Sequence, residues 1–256
     1  MIASLGMYDH PKAQASNDRL WALIRDGMLA EGLQAPATLT RGTAAYWPAW
    51  ASPDLLLSQT CGLPYRARLH GHVTLIGTPD YEVDGCPPGH YNSVFIARLN
   101  DPRQDLTDFD NATLAFNEDL SQSGWAAPQN HARELGLTLR PALRTGGHLL
   151  SARAVTENRA DIAAIDAVTW SMIRTWEPFA ANLKPIAATA PTPGLPYIAA
   201  KGADAPRLFR VIAAAIAALP AHDRDILRLK GLIALPPQAY LAIPTPPTPT
   251  ELGLAN

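Results

Sequence analysis

The chain has 256 residues, room for one large or two modest domains at ~100 to 200 residues each. Charged residues make up 17% and the apolar set 47%, which excludes disorder of the whole chain; 21 basic against 23 acidic side chains leave a net charge of −2, no footprint for nucleic acid or an anionic membrane surface. The longest apolar runs, 211–219 and 162–168, fall short of the ~20 residues that a membrane-spanning helix needs.

Residues 2–7 read as a strand that ends at Tyr8-Asp9-His10-Pro11. After the cap-like Ser16-Asn17-Asp18, the apolar residues Leu20, Leu23, Ile24, Met28 and Leu29 recur at helical spacing, and Gly32 closes the helix. Strands are predicted at 38–40, 54–57, 73–76, 91–97, 112–116, 138–140 and 161–165, with a return strand at 186–189. Helices are predicted at 124–135, 147–158, 167–176, 205–219 and 223–229. Alternating strands and helices separated by Gly/Pro turns indicate an α/β fold.

The same grammar runs through two blocks, about 1–85 and 95–185, joined by an extended segment near 87–94. A chain that leaves one lobe, builds a second and returns makes a two-lobed molecule with a double-crossing hinge, whose ligands sit in an interlobe cleft at the carboxyl ends of parallel strands. The expected division is 1–88 plus 191–256 for lobe 1 and 89–190 for lobe 2. Pro244, Pro246, Pro247 and Pro249 mark 244–256 as a Pro-rich tail that wraps the surface or moves.

The informative strings lie at strand ends. Ser121-Gln122-Ser123-Gly124 opens a helix after strand 112–116, so its hydroxyls and free backbone N–H groups, with the positive end of the helix dipole, suit a tetrahedral oxyanion; a plain helix cap is the other reading. Asp166 sits where strand gives way to helix, as a ligand acceptor or an N-cap. His148, after Gly146-Gly147 at another helix start, is an oxyanion donor or a surface imidazole. Gln59 and Thr60 leave a strand into a small-residue turn, and Tyr8, Tyr91 and Ser93 offer hydroxyls and an aromatic wall; turn chemistry and packing explain these equally well. Cys61 and Cys86 are too few for a disulfide scaffold, and their spacing leaves pairing open.

Taken together, Met7-Tyr8-Asp9, Ser58-Gln59-Thr60-Cys61-Gly62, Tyr91-Asn92-Ser93-Val94, Ser121-Gln122-Ser123-Gly124, Gly147-His148, Ala154-Val155 with 160–166, and Pro193-Gly194-Leu195-Pro196 resemble the phosphate, phosphite and phosphonate substrate-binding proteins of ABC transporters. The resemblance covers residues 1–220 and implies the two-lobed type II periplasmic-binding fold, no cofactor, a small oxyanion ligand, and an ABC permease or a regulator as partner. It makes Ser121, Gln122, Ser123 and His148 the oxyanion holders, with Tyr8, Gln59, Thr60 and Tyr91 as first-lobe or hinge contacts. Relatives that bind an aminoalkyl phosphonate place acidic side chains at positions matching Val168 and Leu195; both are apolar here, which favours phosphate, phosphite or a short alkyl phosphonate. Leu149 stands where an acidic residue usually follows the Gly-His step.

Residues 1–7 contain no basic segment followed by a long apolar one, so the chain as written reads as cytoplasmic, or as periplasmic if its N-terminus is trimmed. The alternative function is a cytosolic biosynthetic enzyme on the same fold, with Cys61 or His148 as nucleophile or base. No second His, Asp or Glu stands beside Cys61 in sequence to activate it.

Overall fold

The computed structural model describes residues 1–254. In chain order the elements that position the site are β1 (Ile2–Ser4), α1 (Gln14–Ala30), β2 (Leu55–Gln59), β3 (Val73–Asp80), β4 (Ser93–Arg98), β5 (Thr113–Phe116), α2 (122–134), β6 (Arg140–Arg144), α3 (His148–Thr156), β7 (Ile162–Asp166), α4 (Ala167–Trp176), β8 (Leu183–Ala188), β9 (Tyr197–Ala200), α5 (Ala205–Ala218), α6 (Ala221–Leu227) and β10 (Gly231–Ile233). The chain divides into two compact units: unit 1 is 1–90 with 193–242, and unit 2 is 91–192 with 243–256.

In unit 1 the strand order is β1-β2-β9-β3-β10. β1 and β2 run parallel, as a strand–helix–strand crossover through α1 requires, whereas β9 runs antiparallel to both β2 and β3. The apolar stripe of α1, Leu20, Trp21, Ile24 and Met28, is buried, and α1 packs against α5 and α6. Asp223 fixes that packing: it accepts from Ser16 Oγ at 2.7 Å and from Arg19 Nε at 2.7 Å, with the Arg19 Nη2 in a further ion pair. The same arginine holds the Asp223 carboxyl below its ordinary pKa.

Unit 2 shows the period of two along its strands directly. Its sheet order is β6-β5-β7-β4-β8, with β5 parallel to β6 and β7, and β4 antiparallel to β7 and β8. Phe95, Ala97, Leu114, Phe116, Ile162 and Ala164 face one core with Trp125 and Ala132 of α2. Ile96, Ala115, Ala163 and Ile165 face the other with Ala152 and Val155 of α3 and Trp170 and Ile173 of α4. Strand residues alternate between two helix layers, so the sheet is apolar on both faces, which accounts for the unbroken apolar run of β7.

At the end of this sheet where β5 and β7 begin, Asp161 accepts from Thr113 Oγ1 at 2.6 Å, Thr113 N at 2.9 Å and Arg103 Nη2 at 3.0 Å. Arg103 also bridges Asp101 at 2.8 Å, and Arg98 joins Asp101 at 3.3 Å. The hydrogen bonds from Thr113 and the Arg103 charge outweigh burial and lower the Asp161 pKa to about 2.

Four expectations need correction. Residues 38–40 form no strand: Thr40 N reaches Ala3 O at 2.7 Å, but that single bond is not continued into a ladder. The strand expected at 138–140 lies at Arg140–Arg144, because the parallel register with β5 aligns Thr113 with Arg140 and Phe116 with Arg144. The strand expected at 73–76 continues to Asp80, paired with β9 and β10, neither of which was expected. Finally, the tail expected with lobe 1 groups with unit 2, where Trp125 Nε1 donates to Pro247 O at 3.1 Å and Asn130 Nδ2 to Pro244 O at 2.9 Å. Among the described residues no helix is long and apolar enough to cross a membrane, and neither Cys61 nor Cys86 is in a disulfide.

Candidate functional site

The other end of the unit-2 sheet gathers the predicted residues that lie in unit 2. β5 and β7 finish there at Phe116 and Asp166, and antiparallel β4 starts there with Ser93 opposite Asp166. Helices α2, α3 and α4 begin at this same end, so three sets of free backbone N–H groups and three positive dipole ends collect at one sheet edge.

The head of α2 is wound more loosely than the rest, with Ala126 N bonding back five residues to Ser121 O at 3.0 Å. Ser121 Oγ accepts from Gly124 N at 2.9 Å, so it is the helix cap, and its own O–H remains to be donated. Ser123 Oγ lies 2.8 Å from His148 Nε2, which joins the starts of α2 and α3. Ser121, Gln122 and Ser123 are all buried, and the head of α2 packs against β7.

His148 keeps some accessible surface, but protein crowds its ring on most sides. That desolvation lowers its pKa to about 4, while the nearby Ala164 carbonyl pulls the other way. The imidazole is therefore neutral at pH 7, with one N–H to donate. Its Nδ1 makes no well-formed hydrogen bond among the described residues. With its proton on Nε2, His148 donates to Ser123 Oγ and leaves the serine O–H for a guest; with its proton on Nδ1, Nε2 accepts the serine O–H.

Gly124 allows the turn to close. A Cβ there would run into Asn117 Oδ1 and lie 3.2 Å from His148 Cε1. Asn117, the first residue after β5, thus rests against the turn, and its buried Oδ1 has no hydrogen-bond partner among the described residues. An unpaired buried acceptor is rare enough to call for a reason.

Asp166 Oδ1 accepts from Thr169 N at 2.9 Å, so this carboxylate caps α4, one of the two roles expected for it. Ser93 is buried, and its backbone N donates to Thr189 Oγ1 at 3.0 Å. Tyr91, also buried, precedes Ser93 at this edge.

Tyr8, Gln59 and Thr60 lie in unit 1. Gln59 Nε2 donates to Tyr81 OH at 3.0 Å and to Leu195 O at 3.2 Å, and the Tyr8 and Tyr81 rings meet edge-on at 5.0 Å. Thr60 N donates to Pro196 O at 3.0 Å, while its buried Oγ1 has no hydrogen-bond partner among the described residues. Two members of these clusters escaped the sequence reading, Asn117 and Tyr81. Each is the first residue beyond a strand, the position that singled out Asp166 as lying at a strand-to-helix edge.

The arrangement in unit 2 supplies neutral hydrogen-bond donors around helix N-termini, which is suited to holding an anion without a balancing cation. Residues 57–238 match the family described as "ABC transporter, phosphonate, periplasmic substrate-binding protein". Among solved structures, a Prochlorococcus marinus protein in complex with methylphosphonate is similar at a TM-score of 0.70 and 18% identity, covering 98% of this chain and 97% of the other. A Xanthomonas citri protein bound to chloride ion gives 0.70 and 18%, with 98% and 95% covered. The binding component of a Pseudomonas aeruginosa ABC phosphonate transporter gives 0.66 and 16%, with 91% and 81% covered. Among curated proteins there is no match.

Proposed function

The chain belongs to the phosphonate periplasmic substrate-binding proteins of ABC transporters, and from that premise we propose that its ligand is a small phosphorus oxyanion: phosphate, phosphite or a short alkyl phosphonate. The family is one of binding proteins that serve an ABC permease, not of enzymes. The observation that carries the ligand reading is the Ser123–His148 pair, 2.8 Å apart at the head of α2 and beside the Ser121 cap.

Each group has a role in this reading. The Gln122 and Ser123 backbone N–H groups, the first of α2, point the helix dipole at the anion, and the Ser121 and Ser123 hydroxyls donate to its oxygens. Hydrogen bonds to a charged oxygen contribute about 1.5 to 3 kcal/mol each, so three or four outweigh the missing cation. His148, neutral at pH 7, orients Ser123 or donates directly. Gln122, Tyr91 and Ser93 are the further contacts proposed from unit 2, and Tyr8, Gln59 and Thr60 those from unit 1.

Asp166 sets the selectivity. A carboxylate at the site edge accepts a hydrogen bond from an oxyanion that keeps a proton and leaves a fully deprotonated one with acceptor facing acceptor, a loss of about 1 to 3 kcal/mol. Hydrogen phosphate and hydrogen phosphonate therefore bind, and sulfate is rejected. Val168 and Leu195, both buried and apolar, give no partner to a ligand amine, which favours methylphosphonate over an aminoalkyl phosphonate.

Calorimetric titration at pH 7 with methylphosphonate, phosphite, phosphate and sulfate tests both parts. Binding of at least one phosphorus oxyanion, with sulfate at least tenfold weaker, is the expected result. Equal affinity for sulfate and phosphate removes the role of Asp166, and no binding of any phosphorus oxyanion refutes the ligand reading.

A further inference from the structure

The C-terminal segment leaves unit 1 after residue 242 and joins unit 2, so the chain passes between the units a third time, after the two passages at 90/91 and 192/193. Within unit 2 it lies on α2, the helix whose first turn carries Ser121, Gln122 and Ser123. Trp125 Nε1 donates to Pro247 O at 3.1 Å, and one turn on, Asn130 Nδ2 donates to Pro244 O at 2.9 Å. The segment then closes on itself: Thr248 N and Oγ1 donate to Glu251 Oε2 at 2.7 and 2.9 Å, and Leu254 N returns to Pro249 O at 3.0 Å. Leu254 packs on the same core cluster as Trp125 and Phe116. Prolines hold this stretch extended at little entropic cost, and their missing N–H groups leave carbonyls as the hydrogen-bonding groups it presents.

Trp125 is what makes this strap relevant to the site. It follows Gly124 directly, is 1% exposed, and its ring lies 4.9 Å from that of Phe116, the last residue of β5 before Asn117. The indole is therefore the first large anchor of α2, clamped by the strand end on one side and by Pro247 through its N–H. A buried indole N–H left without an acceptor would favour a shift of the ring, and the two residues before it are Ser123 and Gly124, where the Asn117 contact leaves no slack.

We propose that residues 243–254 form a strap that positions the Ser121–Gly124 turn through Trp125 and Asn130, so that the affinity of the site depends on a segment distant from it in sequence. Trp125 and Asn130 are positioning residues in this scheme and touch no ligand. The proposal deepens the oxyanion reading and rests on it for its functional consequence, but the ordering of the turn is measurable without ligand.

The test uses the full chain with Trp125→Phe, which keeps a ring and removes the N–H, and with Asn130→Ala. Amide hydrogen exchange without ligand is expected to speed up about fivefold or more over 121–126 in each variant, the size of one lost neutral hydrogen bond, while 150–156 in α3 stays unchanged. Methylphosphonate affinity, measured well below both melting temperatures, is expected to fall by a similar factor. A purely structural role would lower the melting temperature and leave that affinity unchanged. Unchanged exchange over 121–126 overturns the proposal, as does faster exchange with unchanged affinity. Should the wild-type protein bind none of methylphosphonate, phosphite and phosphate, the oxyanion reading falls while the exchange result alone decides the strap.

Discussion

At the end of the unit-2 sheet where β5 and β7 begin, Asp101, Arg103 and Asp161 form a network in which every carboxylate meets an arginine and Asp161 also takes both donors of Thr113. At the end where those strands finish, Ser121, Ser123, Asn117 and His148 are uncharged, and the Asp166 carboxylate caps α4. Among the described residues, Asn117 Oδ1 and His148 Nδ1 lack a well-formed hydrogen bond. The two ends share one sheet, yet one pairs its charges with arginines and the other keeps buried polar atoms without a well-formed partner. Satisfied charge reads as architecture; neutral donors at helix N-termini, with buried atoms still to be paired, read as a site.

The largest expected effect comes from filling the end that carries Ser121–Gly124. Gly124→Ala pushes a methyl group into Asn117 Oδ1. Overpacking costs up to about 3 kcal/mol, and because the displaced groups are the proposed anion holders, methylphosphonate affinity in calorimetry is expected to fall about 100-fold. A loss under threefold would mean that the turn tolerates the methyl and that the site lies elsewhere.

Next is the pH response of the two ends. His148 titrates at about 4 in the fold against an ordinary 6.5, so between those values the unfolded chain binds the extra proton. The stability tied to its neutral form is complete above pH 6.5 and drains away as pH falls toward 4, a loss of about 3 kcal/mol at the lower limit. His148→Gln is expected to flatten the melting temperature across that window; an unchanged slope would show that the ring is not held neutral.

The smallest effect belongs to the arginine-paired end. Asp161 is depressed to about 2, so its contribution is present above the ordinary carboxylate range and is lost as pH falls from about 4 to about 2. Its side chain is 30% exposed, which limits the loss in Asp161→Asn to about 1 to 2 kcal/mol in denaturant unfolding. Methylphosphonate affinity should not move, and a change there would blur the distinction between the two ends.

Much of this was legible in the sequence because the relevant residues sit at strand ends, where a period-two apolar run stops and a Ser, Gly or Asp begins the next helix. Ser121–Gly124, His148 and Asp166 stand at helix starts, where the sequence places them, and the helix expected at 167–176 is Ala167–Trp176. β9 was not legible, since four apolar residues after a proline-rich stretch carry no distinguishing period. Nor was the partner of the C-terminal strap, because the hydrogen bonds from Trp125 and Asn130 span more than a hundred residues and prolines show no periodicity that names a neighbour. Asn117 is a site element only through its contact with Gly124, a fact of packing rather than of pattern.

The most direct measurement is a nuclear magnetic resonance titration of the full chain with methylphosphonate, following the backbone amides of Gln122 and Ser123. Saturable downfield shifts at these two amides, with the Val155 amide unmoved, are the expected result. Binding that leaves both resonances in place would show that the anion is held somewhere other than the head of α2.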